Sequence, residues 1–397
     1  MEIKPEIETF AKIKVIGVGG SGGAAIDRMI EQKIRGVDFI AINTDAQALH
    51  HSKAPIKMHI GKTTTRGLGA GMDPELGRKA TEENQDEIHD LLKGSDMVFV
   101  TCGLGGGTGT GSSPLIADIA KDVGALTVAV VTKPFGFEGA QRRSIAESGL
   151  SELSDRVDTI ITIPNDRILQ IIDKKTSLIE AFKTVDEILR QGVQGISDLI
   201  TVPGLINVDF ADIRSIMSNA GSALMGIGQG SGENRAVDAA KAAIDSPLLE
   251  LSIEGAKGIL FTVTGGPDLG MYEVNEAARI ITSSADPNAR VIFGSVIDEN
   301  MKDQVKITVI ATGFGGKQKT IKKIKPMDFE NQPYRSEPVR PVNKPVFSSN
   351  RIKENDNFQA NRPNARPQPY PDIKEDLPKT KEEEDLEIPA FIRKKMM

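Results

Sequence analysis

Tryptophan is absent from the 397 residues, cysteine occurs once, and aromatic side chains make up only 4% of the chain. A lone Cys102 has no partner for an internal disulfide, which excludes a disulfide-stapled scaffold and fits a reducing compartment. No apolar run approaches the roughly 18 residues that a membrane span requires, so direct membrane insertion is not expected. Nor does a basic, apolar, small-residue leader open the chain, so the expected location is the cytoplasm. Histidine is scarce too: His50 and His51 are adjacent, and His59 and His89 have no cysteine or carboxylate at ligand spacing, so no protein-built metal site is expected.

Glycine has its own boundary. The chain contains 39, and none lies after Gly316, whereas the final 81 residues hold 11 of the 21 prolines. Charge divides at the same place: residues 317–397 carry 18 basic and 13 acidic side chains, and residues 1–316 carry 31 basic and 42 acidic ones. An acidic body disfavours nucleic acid as the main partner, because a phosphate backbone needs a basic surface. The glycine-free, proline-rich stretch lacks apolar periodicity and is expected to be a disordered linker over 317–384.

Upstream of that boundary, strands and helices alternate. Strand-like runs at 12–18, 37–42, 96–102, 125–132 and 157–163 are separated by helical patterns at about 22–32, 82–93, 112–122 and 140–154. This alternation predicts an α/β fold with a Rossmann-like parallel sheet covered on both faces. Residues 61–78 read as a glycine-rich loop. Residues 178–203 form a long central helix region. Its apolar positions Val185, Ile188, Leu189, Val193, Ile196, Leu199 and Ile200 predict burial between two domains. A second, smaller α/β domain is expected over 204–316, with strands near 222–228, 258–264, 290–297 and 304–312 and helices near 233–244 and 271–283. Its Gly226-Ile227-Gly228 and Gly265-Gly266 runs read as ordinary turns. The first domain then spans 12–177, behind a flexible segment at 1–11.

Two turns carry chemistry. Gly17-Val-Gly19-Gly20-Ser21-Gly22-Gly23 follows a strand and opens a helix, so backbone N–H groups and the helix dipole can meet a phosphate. Taken alone it fits the dinucleotide fingerprint, with Asp45 as the ribose acid, and favours an NAD(P)-binding oxidoreductase. Residues 103–111, Gly-Leu-Gly-Gly-Gly-Thr-Gly-Thr-Gly, form a second strand-to-helix turn in which six of nine residues are glycine. So many glycines carry a heavy entropic cost for a mere turn. Their natural use is a nest of N–H donors, with the Thr108 and Thr110 hydroxyls as further donors. Two such turns in one sheet grip one polyphosphate from two sides. A Walker A loop is excluded: Gly61-Lys62-Thr63 has its ending, but Ile56 stands where the first glycine belongs, and no strand is expected to lead into it.

Gly105-Gly-Gly-Thr-Gly-Thr-Gly111 resembles the signature of the tubulin/FtsZ family. Asn43-Thr-Asp-Ala-Gln-Ala-Leu49, Gly67-Leu-Gly-Ala-Gly71, Pro134-Phe-Gly-Phe-Glu-Gly139, Ile163-Pro-Asn-Asp166 and Arg190-Gln-Gly-Val-Gln-Gly-Ile-Ser-Asp-Leu-Ile200 are similar to the FtsZ branch. The resemblance implies a tubulin-like two-domain GTPase that polymerises into the cell-division ring, and it extends over nearly all of residues 10–316. It implies that Gly19, Gly20, Ser21, Gly22, Gly23 and Ala24, with Gly103, Gly105, Gly106, Gly107, Thr108, Gly109, Thr110 and Gly111, cradle the phosphates of GTP or GDP. Ala70 and Gly71 face the γ-phosphate. Asn43 and Pro134 belong to the same nucleotide set, Glu138 and Arg142 meet the ribose, and Asn165 and Asp186 read guanine with Phe182 against the ring. Mg²⁺ is implied, held mainly by phosphates and water. The chain departs from the family at Ala24, usually Asn, at Met72-Asp73, usually Ala-Asn, and at Cys102, whose expected role is packing.

Residues 204–212 bring Asn207, Asp209 and Asp212 together after the central helix. By itself this reads as a helix cap at Asp209 for a helix over 210–217. The resemblance implies instead that Asn207, Asp209 and Asp212 complete the catalytic site of the next subunit in a head-to-tail homopolymer. The chain ends in a peptide, 385–397, whose Ile388, Phe391 and Ile392 would share a helical face after Pro389. It is similar to the FtsZ terminal peptide, which implies that Leu386, Ile388, Pro389, Phe391, Ile392 and Arg393 bind membrane-anchoring adaptors such as FtsA-like proteins. Other division regulators are implied as partners, at mid-cell on the inner face of the membrane.

Overall fold

The computed structural model describes residues 11–314, apart from 171, 174, 203–205, 207, 248–251 and 300. The linker and the terminal peptide, with Leu386, Ile388, Pro389, Phe391, Ile392 and Arg393, lie outside the described residues, as does most of the N-terminal segment.

The chain begins with β1 (Ile13–Val18), α1 (Gly19–Glu31), β2 (Val37–Asn43), α2 (Ala46–His51) and β3 (Ile56–His59). Helices α3 (Pro74–Glu83) and α4 (Gln85–Leu92) lead to β4 (Met97–Gly103), α5 (Gly107–Asp122) and β5 (Leu126–Lys133). A 3₁₀ turn at Gly136–Glu138 precedes α6 (Ala140–Ser154), β6 (Thr159–Pro164), α7 (Asn165–Ile168) and α8 (Leu178–Thr201). The remainder is α9 (Phe210–Met217), β7 (Gly221–Ser231), α10 (Arg235–Ile244), β8 (Gly258–Gly265), α11 (Met271–Ser283), β9 (Arg290–Ile297) and β10 (Gln304–Thr312).

Among the described residues all ten strands join one sheet in the order β3-β2-β1-β4-β5-β6-β7-β10-β8-β9. The strands from β3 to β7 are parallel, and the mostly apolar β1, β4 and β5 are buried on both faces over nearly their whole length, as a helix-covered parallel sheet requires. The second half is not a separate sheet. Residues Gly221–Ala223 of β7 pair with Thr159–Ile161 of β6, and the rest of that long strand pairs antiparallel with β10.

Helix α8 is closed at its start by a reciprocal cap: Glu180 N–H donates to Ser177 Oγ at 3.3 Å, and Ser177 N–H donates to the Glu180 carboxylate at 3.0 Å. Its 24 residues span about 36 Å at 1.5 Å per residue. Val185, Ile188, Leu189, Val193, Ile196 and Leu199 are buried in the larger core, which also contains Leu260 and Ile310 of the second half, so the helix is wedged between the halves as its pattern predicts.

Three expectations change. The 61–78 loop ends early, because Asp73 caps α3 by accepting from Glu75 N at 2.9 Å and Pro74 suits the first helical position. The single helix expected near 82–93 is two, broken at Asn84. Gly226-Ile227-Gly228 is no turn but the middle of β7; a Cβ on Gly228 would sit 1.9 Å from the Ala239 carbonyl oxygen, so glycine there lets α10 lie directly on the strand. The short elements α2, β3 and α7 carry too few periodic positions to be read from sequence.

Candidate nucleotide site

A cleft of about 350 Å³ opens at the C-terminal ends of β1, β4, β5 and β6, where parallel α/β sheets present helix N-termini to ligands. Gly19, Gly20 and Ser21 line it from the start of α1, and Gly106, Gly107, Thr108 and Gly109 from the start of α5. The second glycine run is therefore partly helix: its last five residues, from Gly107 to Gly111, open α5. Gly71, Gly103, Pro134, Glu138, Arg142, Asn165, Phe182 and Asp186 complete the expected lining. Leu104, Thr132, Val185 and Leu189 also line the cleft and were not singled out from sequence.

The other expected residues stand behind this surface. Gly22 packs on the Thr101 carbonyl, and Gly23, Ala24 and Asn43 face a neighbouring hollow of about 200 Å³. Ala70 is buried, and its carbonyl accepts from Asp73 N at 3.1 Å. Thr110 is 2% exposed and its Oγ accepts from Gly105 N at 2.9 Å, so its hydroxyl braces the loop rather than facing the cleft. Gly111 sits under α3, where a Cβ would lie 1.9 Å from the Pro74 carbonyl oxygen. Thr108 shares a 2.6 Å hydrogen bond with Thr44, which ties α5 to the loop after β2.

Electrostatics divide the cleft. Its glycine-lined end offers backbone N–H groups and no carboxylate, which suits phosphate. Toward the other end, Glu138 pairs with Arg142 at 2.6 Å and accepts from Phe135 N at 2.8 Å, so both side chains are held in place. Asp186 pairs with Arg28 at 3.3 Å; burial raises its carboxyl above the usual carboxylate range, and the Arg28 charge opposes that shift. Asn165 is 5% exposed, and its Oδ1 is buried without a hydrogen-bond partner. An orphaned buried acceptor is costly, and at the edge of a cleft a donor from a ligand would satisfy it. Two acceptors, Asn165 Oδ1 and Asp186, together with the half-exposed ring of Phe182, fit guanine. Its N1–H and exocyclic amine donate along one edge, where adenine presents an acceptor beside its amine.

Several alternatives fall on this geometry. The Asp45 carboxylate accepts from Gln47 N and Ala48 N as the cap of α2 and is not in the cleft, so the ribose acid of a dinucleotide site is missing. A strand, β3, does lead into Gly61-Lys62-Thr63, contrary to expectation, but a turn rather than a helix follows, and no phosphate-binding loop forms there. Cys102 is fully buried and burial pushes its thiol up to about 11, so it packs and does not react.

The expected catalytic acids lie elsewhere. Asp209 occupies the cap position of α9 but makes no capping hydrogen bond, and both Asp209 and Asp212 are exposed. Helix α9 is anchored beneath the other end of the sheet: Thr159 Oγ donates to the Met217 carbonyl at 2.5 Å, and Thr159 is the first residue of β6, whose last, Pro164, precedes the cleft residue Asn165. Asn207 is outside the described residues.

Comparison with known proteins follows the same outline. Residues 12–173 match the family model of the Tubulin/FtsZ family, GTPase domain, and residues 221–315 that of the FtsZ family, C-terminal domain. Among solved structures, an FtsZ dimer from M. jannaschii is 48% identical over 77% of this chain and 89% of its own, with a TM-score of 0.74. CetZ1 from Haloferax volcanii, a GDP-bound monomer, is 22% identical over 77% of this chain and 95% of its own, at 0.67. CetZ2 from the same organism, a GTPγS-bound protofilament, is 23% identical over 76% and 92%, at 0.64. The two CetZ proteins share the fold.

Proposed function

The chain belongs to the tubulin/FtsZ family and is a GTPase of that family, and from this premise we propose that it hydrolyses GTP where two copies meet head to tail in a filament that organises cell division. One observation carries the reading: the nucleotide cleft and the exposed acids of α9 lie at opposite ends of the same sheet. A monomer cannot bring Asp212 to its own cleft. A translated second copy can, and a repeat that does not close builds a filament.

In this reading Asn165 and Asp186 accept from guanine, Phe182 covers the ring, and Glu138 and Arg142 hold the ribose. The N–H groups of Gly20, Ser21 and Gly106 to Gly109 take the phosphates, with Gly71 toward the γ end. Among the described residues the carboxylates lining the cleft are Glu138 and Asp186, both already paired with arginines, so Mg²⁺ would be held chiefly by phosphate oxygens and water, where it offsets charge on the transferred group. Asp209 and Asp212 of the adjoining copy, with Asn207, orient the attacking water. Exposed apolar side chains in the segments around the cleft, Leu68, Phe137, Leu169 and Ile179 at the start of α8, support a protein partner on that face.

Mixing two inactive proteins tests the shared site. Asp212→Ala keeps its cleft and loses its acid; Gly106→Ala loses its cleft and keeps its acid. Turnover should reappear when they are combined, because one mixed interface is intact, and a mixture silent at every ratio contradicts the proposal.

The terminal peptide is proposed to recruit membrane-anchoring adaptors, FtsA-like proteins among them, to the inner face of the membrane at mid-cell. Its support is the sequence resemblance of Ile388-Pro-Ala-Phe-Ile and the length of linker before it. Deleting 386–397 should leave polymerisation intact and abolish adaptor binding in co-sedimentation; equal adaptor binding overturns it.

A further inference from the structure

Helix α7, which carries Asn165, is a single turn of four residues, Asn165–Ile168. A helix that short does not hold itself, so its orientation depends on what ties it down. No side chain caps its start, where Pro164 precedes it. Its last residue, Ile168, is buried in the larger core. Its second residue, Asp166, does not line the cleft, yet its carboxylate makes two bonds to other elements. Oδ1 accepts from Gly136 N at 2.7 Å, and Oδ2 pairs with Arg143 of α6 at 3.0 Å. The pair closes tightly over the turn: a Cβ on Gly136 would lie 3.3 Å from Arg143 Nη2 and 3.5 Å from both Asp166 oxygens. The turn it grips is firmly built. Glu138 closes it by accepting from Phe135 N, and the buried Phe135 ring stacks on Phe137 at 5.0 Å and meets Phe182 edge-on at 5.6 Å. Asp166 therefore fastens a weak element to a strong one.

We propose that Asp166 is a positioning residue for base selection: it holds α7 against the Gly136–Glu138 turn so that Asn165 Oδ1 faces the edge of guanine, and Arg143 aims the carboxylate by occupying its second oxygen. This rests on the cleft being the GTP site, with Asn165 and Asp186 as the base acceptors. The two oxygens of Asp186 can take guanine N1–H and one hydrogen of the exocyclic amine. The other amine hydrogen is left for Asn165. ITP, whose base lacks that amine, has nothing to offer Asn165 and gains nothing from its alignment. Asp166 and Arg143 are about half exposed, and an exposed ion pair contributes little to folding, so their effect belongs to binding. Loss of one neutral hydrogen bond weakens affinity by about 3- to 10-fold.

Competition of GTP and of ITP against mant-GDP tests this in wild type, Asp166→Ala, Asp166→Asn and Arg143→Met, with turnover at fixed protein concentration and melting temperature without nucleotide. Asp166→Ala should bind GTP about 3- to 10-fold more weakly and ITP as the wild type does, raising KM for GTP and keeping kcat at saturation. Asp166→Asn keeps an acceptor for Gly136 N and should restore most of the preference, and Arg143→Met should fall between them. Melting temperatures should match the wild type. An unchanged GTP-to-ITP preference in Asp166→Ala overturns the proposal. Equal weakening of both nucleotides overturns it too, since that marks a brace for the ribose turn. So does a loss of kcat with unaltered binding, which marks a contact between copies, and so does a loss of affinity that merely follows a lowered melting temperature. Failure of the wild type itself to bind mant-GDP would strike at the GTPase reading instead, so the two failures are distinguishable.

Discussion

Two glycines five residues apart in α5 and its approach answer to different constraints. A Cβ on Gly106 meets nothing within 4 Å and points into the cleft, whereas one on Gly111 meets the Pro74 carbonyl at 1.9 Å. Gly106→Ala should therefore fold normally and lose nucleotide affinity, while Gly111→Ala should lower the melting temperature by prising α3 from α5. Circular dichroism melts with mant-GDP titration separate the two, and a Gly106→Ala protein that melts as early as Gly111→Ala contradicts the division. Asp186→Asn should weaken GTP binding at least tenfold and narrow the preference for GTP over ATP, because the neutral amide cannot accept from both guanine donors as a carboxylate does. Undiminished preference in competition titrations counts against Asp186 as the base reader. The glycine-lined part of the cleft was legible at this scale from glycine density and strand-to-helix position, whereas Pro134, Glu138, Arg142, Asn165, Phe182 and Asp186 came from the family resemblance. What escaped depends on facing. Nothing in the sequence distinguishes Thr108, which lines the cleft, from Thr110, whose hydroxyl turns inward to Gly105, and Thr132 lies in an apolar strand that reads as core throughout.

Helix α8 joins the cleft to the second half of the molecule, and it carries a charge in a poor place for one. Asp198 borders a cavity of about 810 Å³ between α8 and the strands β8 and β10; burial lifts its carboxyl to about 6, while Gln194 on the same helix, Lys306 on β10 and Arg190 on α8 pull it down. A carboxyl raised in the folded state favours folding while protonated, so its contribution is present below the ordinary value of 3.8 and is lost as pH rises through about 6. Asp198→Asn should remove that loss. The difference in melting temperature between variant and wild type should grow in the variant's favour from about pH 4.5 to pH 7. A difference that stays constant across that range contradicts the assignment. On β7, Gly228→Ala should cost at least about 2 kcal/mol by driving a methyl into α10, measured by urea unfolding; a cost under about 0.5 kcal/mol would mean the helix can back away. Long elements with strong periodicity, α8 and α11 and the buried strands, were readable to within a residue or two. The continuity of the sheet was not, since the pairing of Gly221–Ala223 with β6 is a long-range register choice that alternation cannot express. Gly228 was misread for a related reason: a glycine serving a close helix contact looks, in sequence, like one serving a turn.

The molecule as a whole is polar. One end of its sheet carries the cleft and a rim of exposed apolar side chains, and the other carries exposed Asp209 and Asp212. On the proposed reading each end offers what the other lacks, so turnover depends on how many contacts between copies exist. Asp212→Ala should bind GTP as the wild type does and lose nearly all turnover, with filaments that persist; retention of wild-type turnover rules out Asp212 as the shared acid. The most direct measurement is phosphate release per protein molecule, with Mg²⁺ and saturating GTP, across a dilution series spanning the onset of light scattering. The account predicts specific activity near zero below that onset and a steep rise above it. A specific activity that is the same in dilute, monomeric protein as in assembled protein would contradict it.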